Sequence, residues 1–329
     1  MTTPPCAELH LHLEGTLEPD LVFELAERNR IELTYRDPEE LHAAKNFTDL
    51  QSFLDLYYAC MRVLRTEEDF ADLTRAYLRR AHAAGVRHAE IMVDPQAHMV
   101  RGVPLQTVIE GVAGVLAQSE REFGISTGLI AAFLRDRPAP EALEVLDDLL
   151  VMDAPLLGIG LDSAEVGYPP GLFSNVYDRA RAAGLHLIAH AGEEGPPEYV
   201  AQALDVLGVQ RVDHGIRAME DPELVQRLAG EQVPLTVCPL SNVRLRAVPS
   251  LAEHPLPGLL EAGLLVTINS DDPAYFGGYV DDNFTAVAEE FDLGRDQLAA
   301  LAANSVNASF ASSERKTELL SEVAAWHVS

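Results

Sequence analysis

Leu185-His186-Leu187-Ile188-Ala189-His190-Ala191-Gly192-Glu193 and Val209-Gln210-Arg211-Val212-Asp213-His214-Gly215 bracket one repeat of a pattern that runs through the chain. Each begins as a short apolar run of strand character, reaches a histidine, and breaks shortly after at a glycine. Residues 197–207 between them carry helical spacing, and Gly208 stands where a helix C-cap belongs. A strand, a helix and a second strand in this order form the βαβ unit of a parallel sheet.

Outward from this repeat, strand-like runs occur at 7–13, 88–93, 127–133, 156–161, 185–190, 209–214, 235–238 and 264–270. Helical patterns separate them at 21–29, 50–64, 68–84, 105–123, 140–152, 172–183, 197–207 and 222–229. Gly85, Gly124, Gly184, Gly208, Gly230 and Gly263 each stand shortly before a strand, as helix-ending glycines do. Eight such strands close a (β/α)8 TIM barrel, and 329 residues suit that α/β fold as a single domain spanning 1–329. Further helices at 280–291, 295–304 and 313–326 are expected to close its outside. An open doubly wound sheet usually carries an early Gly-rich phosphate loop. The nearest candidate here, Gly158-Ile159-Gly160-Leu161, lacks the third glycine and opens no helix.

At 47% hydrophobic residues the chain can bury a full core. It has no uncharged apolar run of membrane-spanning length and no signal-like start, and three scattered cysteines fit a reducing compartment, so a cytoplasmic protein is expected. A net charge of −28 repels phosphate backbones and anionic lipid, which argues against nucleic acid and membrane as partners. A neutral small molecule is not repelled. The oligomeric state is not legible.

Polar residues gather at the C-terminal ends of the expected strands, the catalytic face of a barrel. His10-Leu11-His12 places two imidazoles on one side of an extended segment, though H-x-H alone is as readily a structural pair. His190-Ala191-Gly192-Glu193 offers a third imidazole and a carboxylate beyond a glycine. His214 ends the sixth run beside Asp213, its partner or a structural anchor. Asn269-Ser270-Asp271-Asp272-Pro273 ends the eighth run in two acids, where an N-cap is the plain alternative. Three histidines and one aspartate make a catalytic metal shell with a position left for water. The other histidines, at 42, 82, 88, 98, 186, 254 and 327, read mostly as surface or core. His88-Ala89-Glu90 lacks the P-C-x-x-C that cytidine-type deaminases require.

In this order, from Glu8-Leu9-His10 to about Asn304, the motifs resemble the adenosine/adenine deaminase family of the amidohydrolase superfamily. The resemblance implies a (β/α)8 barrel holding one divalent metal ion, zinc or alternatively iron. His10, His12, His190 and Asp271 match the metal ligands. Glu193 matches the acid/base that protonates purine N1 as water adds to C6, and His214 the residue that holds and helps activate that water. Asp272 matches the group at N7, and Ser163, in Asp162-Ser163-Ala164-Glu165, the residue whose backbone N–H faces N3.

Four segments are similar to the adenine deaminase branch: 189–199, 211–215, Cys238-Pro239-Leu240-Ser241-Asn242, and 269–279. Adenosine deaminases usually carry a ribose-contacting Asp where Glu14 stands. Glu14 is therefore expected to reach into the sugar space and accept a bond from a ring N–H. The expected reaction is adenine to hypoxanthine and ammonia. The alternatives are an adenine nucleoside substrate (adenosine or 6-aminodeoxyfutalosine) and, more distantly, a purine-binding barrel without catalysis. Another metal hydrolase on this fold is disfavoured by the mononuclear shell and by the lack of a bridging lysine on the fourth strand.

Overall fold

In the computed structural model, which describes residues 3–47 and 50–329, eight parallel strands run in the order β1 to β8. They are β1 (Cys6–Glu8), β2 (Val86–Val93), β3 (Ser126–Leu134), β4 (Leu156–Asp162), β5 (His186–Ala191), β6 (Arg211–His214), β7 (Leu235–Val237) and β8 (Val266–Ile268). All eight expected runs are strands. The first and last are shorter than expected because regular pairing gives way near the closure. There the chain stays extended: His12 N donates to Asp271 O at 3.1 Å, Asp271 N to His10 O at 3.1 Å, and Leu13 N to Met92 O at 2.9 Å. The first two bonds join β8 to β1 at the catalytic end and the third extends the β1–β2 pairing, and the sheet becomes a nearly closed barrel.

Alternation along the strands sorts side chains between two cores. Ile91, Val93, Leu129, Ala131 and Phe133 pack outward against the helices. Met92, Ile130, Ala132 and Ile188 fill the barrel axis. Below them Arg211 meets Glu90 at 2.7 Å, both fully buried, and the Phe310 ring covers the guanidinium at 4.6 Å. The barrel is therefore a packed core whose open end is the upper one.

The helices follow from the same reading. Glu67–Ala83 starts with a capping box between Thr66 and Asp69 and buries Phe70, Leu73, Thr74, Tyr77, Leu78 and Ala81, the stripe expected of a helix on a core. Gly85, Gly124, Gly184, Gly208 and Gly263 all have positive φ before a strand. Gly230 does not: it lies inside the helix Pro222–Glu231, and Gln232 takes the left-handed position at φ 51°. The stretch 105–123 divides into Leu105–Leu116 and Ser119–Phe123. The closing helices are Val280–Glu290, Arg295–Ala308 and Ser313–Val328, and Arg295–Ala308 packs on β8 and β1.

Candidate active site

Seven residues singled out in the sequence meet at the upper end of the barrel. His12, Ser163, His190, Glu193, His214, Asp271 and Asp272 line one cavity open to solvent. Phe53, Leu54, Tyr57, Tyr58, Leu134 and Leu245 supply an apolar and aromatic wall. A flat heterocycle with polar edges suits such a lining. His10 lies beneath, fully buried.

Backbone geometry aims these groups. Ser163, His214 and Asp271, at the ends of β4, β6 and β8, have φ of 68°, 61° and 65°. Left-handed backbone is costly for non-glycine residues and concentrates at functional sites. Gly192 follows β5 at φ 74°, where a Cβ would meet Val200 Cγ2 at 2.6 Å.

Imidazole and carboxylate atoms converge on one point. His12 Nε2 is 3.2 Å from His190 Nε2 and 3.7 Å from Asp271 Oδ1. His10 Nε2 is 3.3 Å from Asp271 Oδ1, and His214 Nε2 is 3.8 Å from Asp271 Oδ2. One ligand atom from each of His10, His190, His214 and Asp271 lies within 4.8 Å of all the others. Ligand atoms about 2.0–2.1 Å from a tetrahedral zinc stand roughly 3.3–3.4 Å apart, close to the His12–His190 and His10–Asp271 spacings of 3.2 and 3.3 Å. His10 Nε2 makes no hydrogen bond among the described residues, as a nitrogen kept for a cation would not.

Outer partners hold the rings. His10 Nδ1 contacts Thr236 Oγ1 at 3.0 Å, and that hydroxyl donates to Asp213 Oδ1 at 2.7 Å. Asp213 Oδ2 faces His190 Nδ1 at 3.5 Å. Asp162 and Asp94 face His12 Nδ1 at 3.5 and 3.7 Å. With Nδ1 turned to carboxylates, the Nε2 lone pairs of these three rings point inward. Ser241 Oγ donates to Asp271 Oδ2 at 2.6 Å. The site thus fits a divalent cation.

The comparisons agree with this geometry. The family model described as adenosine deaminase matches residues 5–326. The chain belongs to the adenosine deaminase family. A relative from Streptomyces coelicolor named adenine deaminase is 58% identical over 324 residues, 98% of this chain and 95% of that protein. The solved structure of an adenine deaminase from Arthrobacter aurescens has a TM-score of 0.98 at 66% identity, covering 99% of this chain and 100% of the other. An amidohydrolase from Burkholderia ambifaria, solved with bound zinc, has a TM-score of 0.91 at 30% identity, covering 99% and 91%.

Within this family member the electrostatics separate the acids. Burial pushes Glu193 well above the usual carboxylate range, and the Asp271 and Glu165 charges push it further. Burial also raises Asp272, with Asp271 adding to it. Asp271 goes the other way: although burial opposes it, His10, His214 and His12 hold its carboxylate well below the ordinary range. His214 Nε2 lies 3.5 Å from Glu193 Oε2.

Two findings depart from the sequence reading. Glu14 does not line the cavity. Its Oε1 accepts from His98 Nε2 at 2.6 Å and from Asp94 N at 3.1 Å, and it is 1% exposed. His98 holds one oxygen of the carboxylate that was expected in the sugar space, and Oε2 has no hydrogen-bond partner among the described residues. The second is Glu165, which the sequence quoted without a role. Its carboxylate accepts four backbone N–H groups: Gly192 at 2.7 Å, Glu193 at 3.1 Å, Glu194 at 2.9 Å and Gly195 at 2.7 Å. One buried charge therefore holds the whole loop that presents Glu193. The Glu at the end of Asp162-Ser163-Ala164-Glu165 carried that signal, but nothing local says which backbone it reaches.

Proposed function

We propose that this chain deaminates adenine hydrolytically, giving hypoxanthine and ammonia. The observation that carries this is Glu193: a buried carboxyl pushed well above the ordinary carboxylate range by burial and by the Asp271 and Glu165 charges, facing His214 beside a cation-shaped cluster, under an aromatic wall. The relatives named adenine deaminase support the substrate.

His10, His12, His190 and Asp271 would hold the metal ion, for which we propose zinc. Bound there, a divalent ion supplies Lewis-acid activation of water, bringing its pKa near 7. The residues do the rest. Glu193 donates its proton to N1, so that negative charge does not build up on the ring as the water oxygen bonds to C6. His214 orients that oxygen. Asp272 Oδ1 has no hydrogen-bond partner among the described residues. Burial and the neighbouring Asp271 charge favour its neutral form, in which Asp272 can donate to the N7 lone pair. Ser163 takes the N3 edge. The Glu193 carboxylate left behind then takes the proton of the hydroxyl now on C6 and passes it to the amino nitrogen, so that the C6–N bond breaks, C6=O forms and ammonia leaves.

Glu14 gives no support for the free base, because it does not line the cavity. The preference for adenine rests instead on the relatives. The test is adenine consumption matched by ammonia and hypoxanthine. Tight adenine binding without ammonia from metal-loaded protein would instead make the barrel a binding protein.

A further inference from the structure

His254, grouped in the sequence with the surface and core histidines, is buried, and both of its ring nitrogens are engaged. Its Nδ1 accepts the backbone N–H of Leu256 at 3.0 Å. A backbone amide can only donate, so Nδ1 carries no proton and the ring proton sits on Nε2. Burial alone lowers this imidazole to about 4, consistent with a neutral ring. Its Nε2 meets Asn242 Oδ1 at 3.1 Å.

This fixes the Asn242 carboxamide, with oxygen toward His254 and Nδ2 toward the site. There Nδ2 reaches His214 Nδ1 at 3.2 Å and Glu193 Oε1 at 3.5 Å. The second, longer contact is compatible with this orientation, since a carboxyl group keeps an acceptor oxygen in either protonation state. An imidazole that accepts at Nδ1 bears its proton on Nε2. We propose that Leu256 N–H, His254 and Asn242 form a relay that locks His214 in the tautomer whose Nε2–H points at the reacting centre, making Asn242 and His254 positioning residues for the two catalytic side chains.

Two consequences follow. A protonated Nε2 offers no lone pair, so His214 is not a metal ligand although its nitrogen lies within 4.8 Å of those of His10 and His190. The third imidazole of the shell is His12, whose Nδ1 faces Asp94 and Asp162. His214 also enters the reaction as a donor to the attacking oxygen, leaving Glu193 to carry the protons. The tautomer stands on hydrogen-bond geometry alone, while its use at the attacking oxygen rests on the deaminase reading above.

The experiment is ¹⁵N NMR of the His214 ring in metal-loaded, substrate-free protein, assigned with His214→Gln. The expected pattern is a protonated Nε2 and a bare Nδ1. A protonated Nδ1 overturns the proposal, whatever the enzyme does to adenine. In Asn242→Asp the carboxylate draws the proton to Nδ1, and kcat is expected to fall roughly 10²-fold or more, with KM and metal content little changed. His254→Leu frees the carboxamide to rotate and is expected to lower kcat about tenfold, with His254→Gln recovering most of it by restoring a donor. Unchanged kcat in both Asn242→Asp and His254→Leu contradicts the relay.

Discussion

Glu193 does its work because of where it sits. Glu193→Gln keeps the outline and removes the proton, and kcat is expected to fall roughly 10²–10⁴-fold with metal content unchanged. With Glu193 as the proposed acid, its protonated form is the active one, and kcat/KM is expected to decline as pH rises through the raised Glu193 pKa. That alkaline limb should disappear from the residual activity of the Gln variant. A second prediction concerns the cluster. His12→Ala and Asp271→Asn should each abolish activity and lower metal content from about one ion per chain, read by elemental analysis. That His10, His12, His190, Glu193, His214, Asp271 and Asp272 converge was legible because they stand at, or just beyond, the ends of apolar runs. Glu14 was misread for the opposite reason: what decides its direction is His98, 84 positions away. Asn242 stood in a quoted motif, yet its partners come from three different segments.

Strand ends and the loops after them are the working elements. The loop after β5 hangs on the Glu165 carboxylate, whose Oε2 alone takes three backbone N–H groups. Glu165→Gln puts an amide donor among those donors or leaves them unpaired. The expected cost is about 1–3 kcal/mol of stability, measured by denaturant unfolding, with a kcat loss larger than any change in KM as Glu193 drifts. Gly15 shows the same tightness: a Cβ there would fall 2.0 Å from Asp272 Oδ1. Among elements, the long periodic helices and all eight strands could be read from the sequence. The helices Pro95–Met99, Pro239–Arg244 and Pro273–Phe276 could not. Each begins with a proline just beyond a strand and is too short to show a 3.6-residue period. One of them nonetheless delivers Ser241 and Asn242 to the site.

Across the whole molecule, function and stability occupy opposite ends of the barrel. The lower end is held by the buried Glu90–Arg211 pair. Although burial opposes it, Arg211 holds Glu90 down at about 2. A depressed carboxyl contributes stability that is complete above its ordinary 4.5 and is lost as pH falls toward about 2. Glu90→Gln leaves Arg211 buried and unmatched, with an expected loss of about 3–5 kcal/mol at neutral pH. Its acid unfolding should be correspondingly shallower, while the folded fraction keeps its kcat/KM. The barrel itself was legible from strand count and strand ends. Its closure through Leu11 and Asp271 was not, since one isolated bridge leaves no periodic trace.

The central claim is that the cavity takes the free base, and kcat/KM for adenine, adenosine and 6-aminodeoxyfutalosine under identical conditions tests it most directly. The expected result is a clear preference for adenine, with hypoxanthine and ammonia formed in equal amounts. A higher kcat/KM for either nucleoside would contradict it.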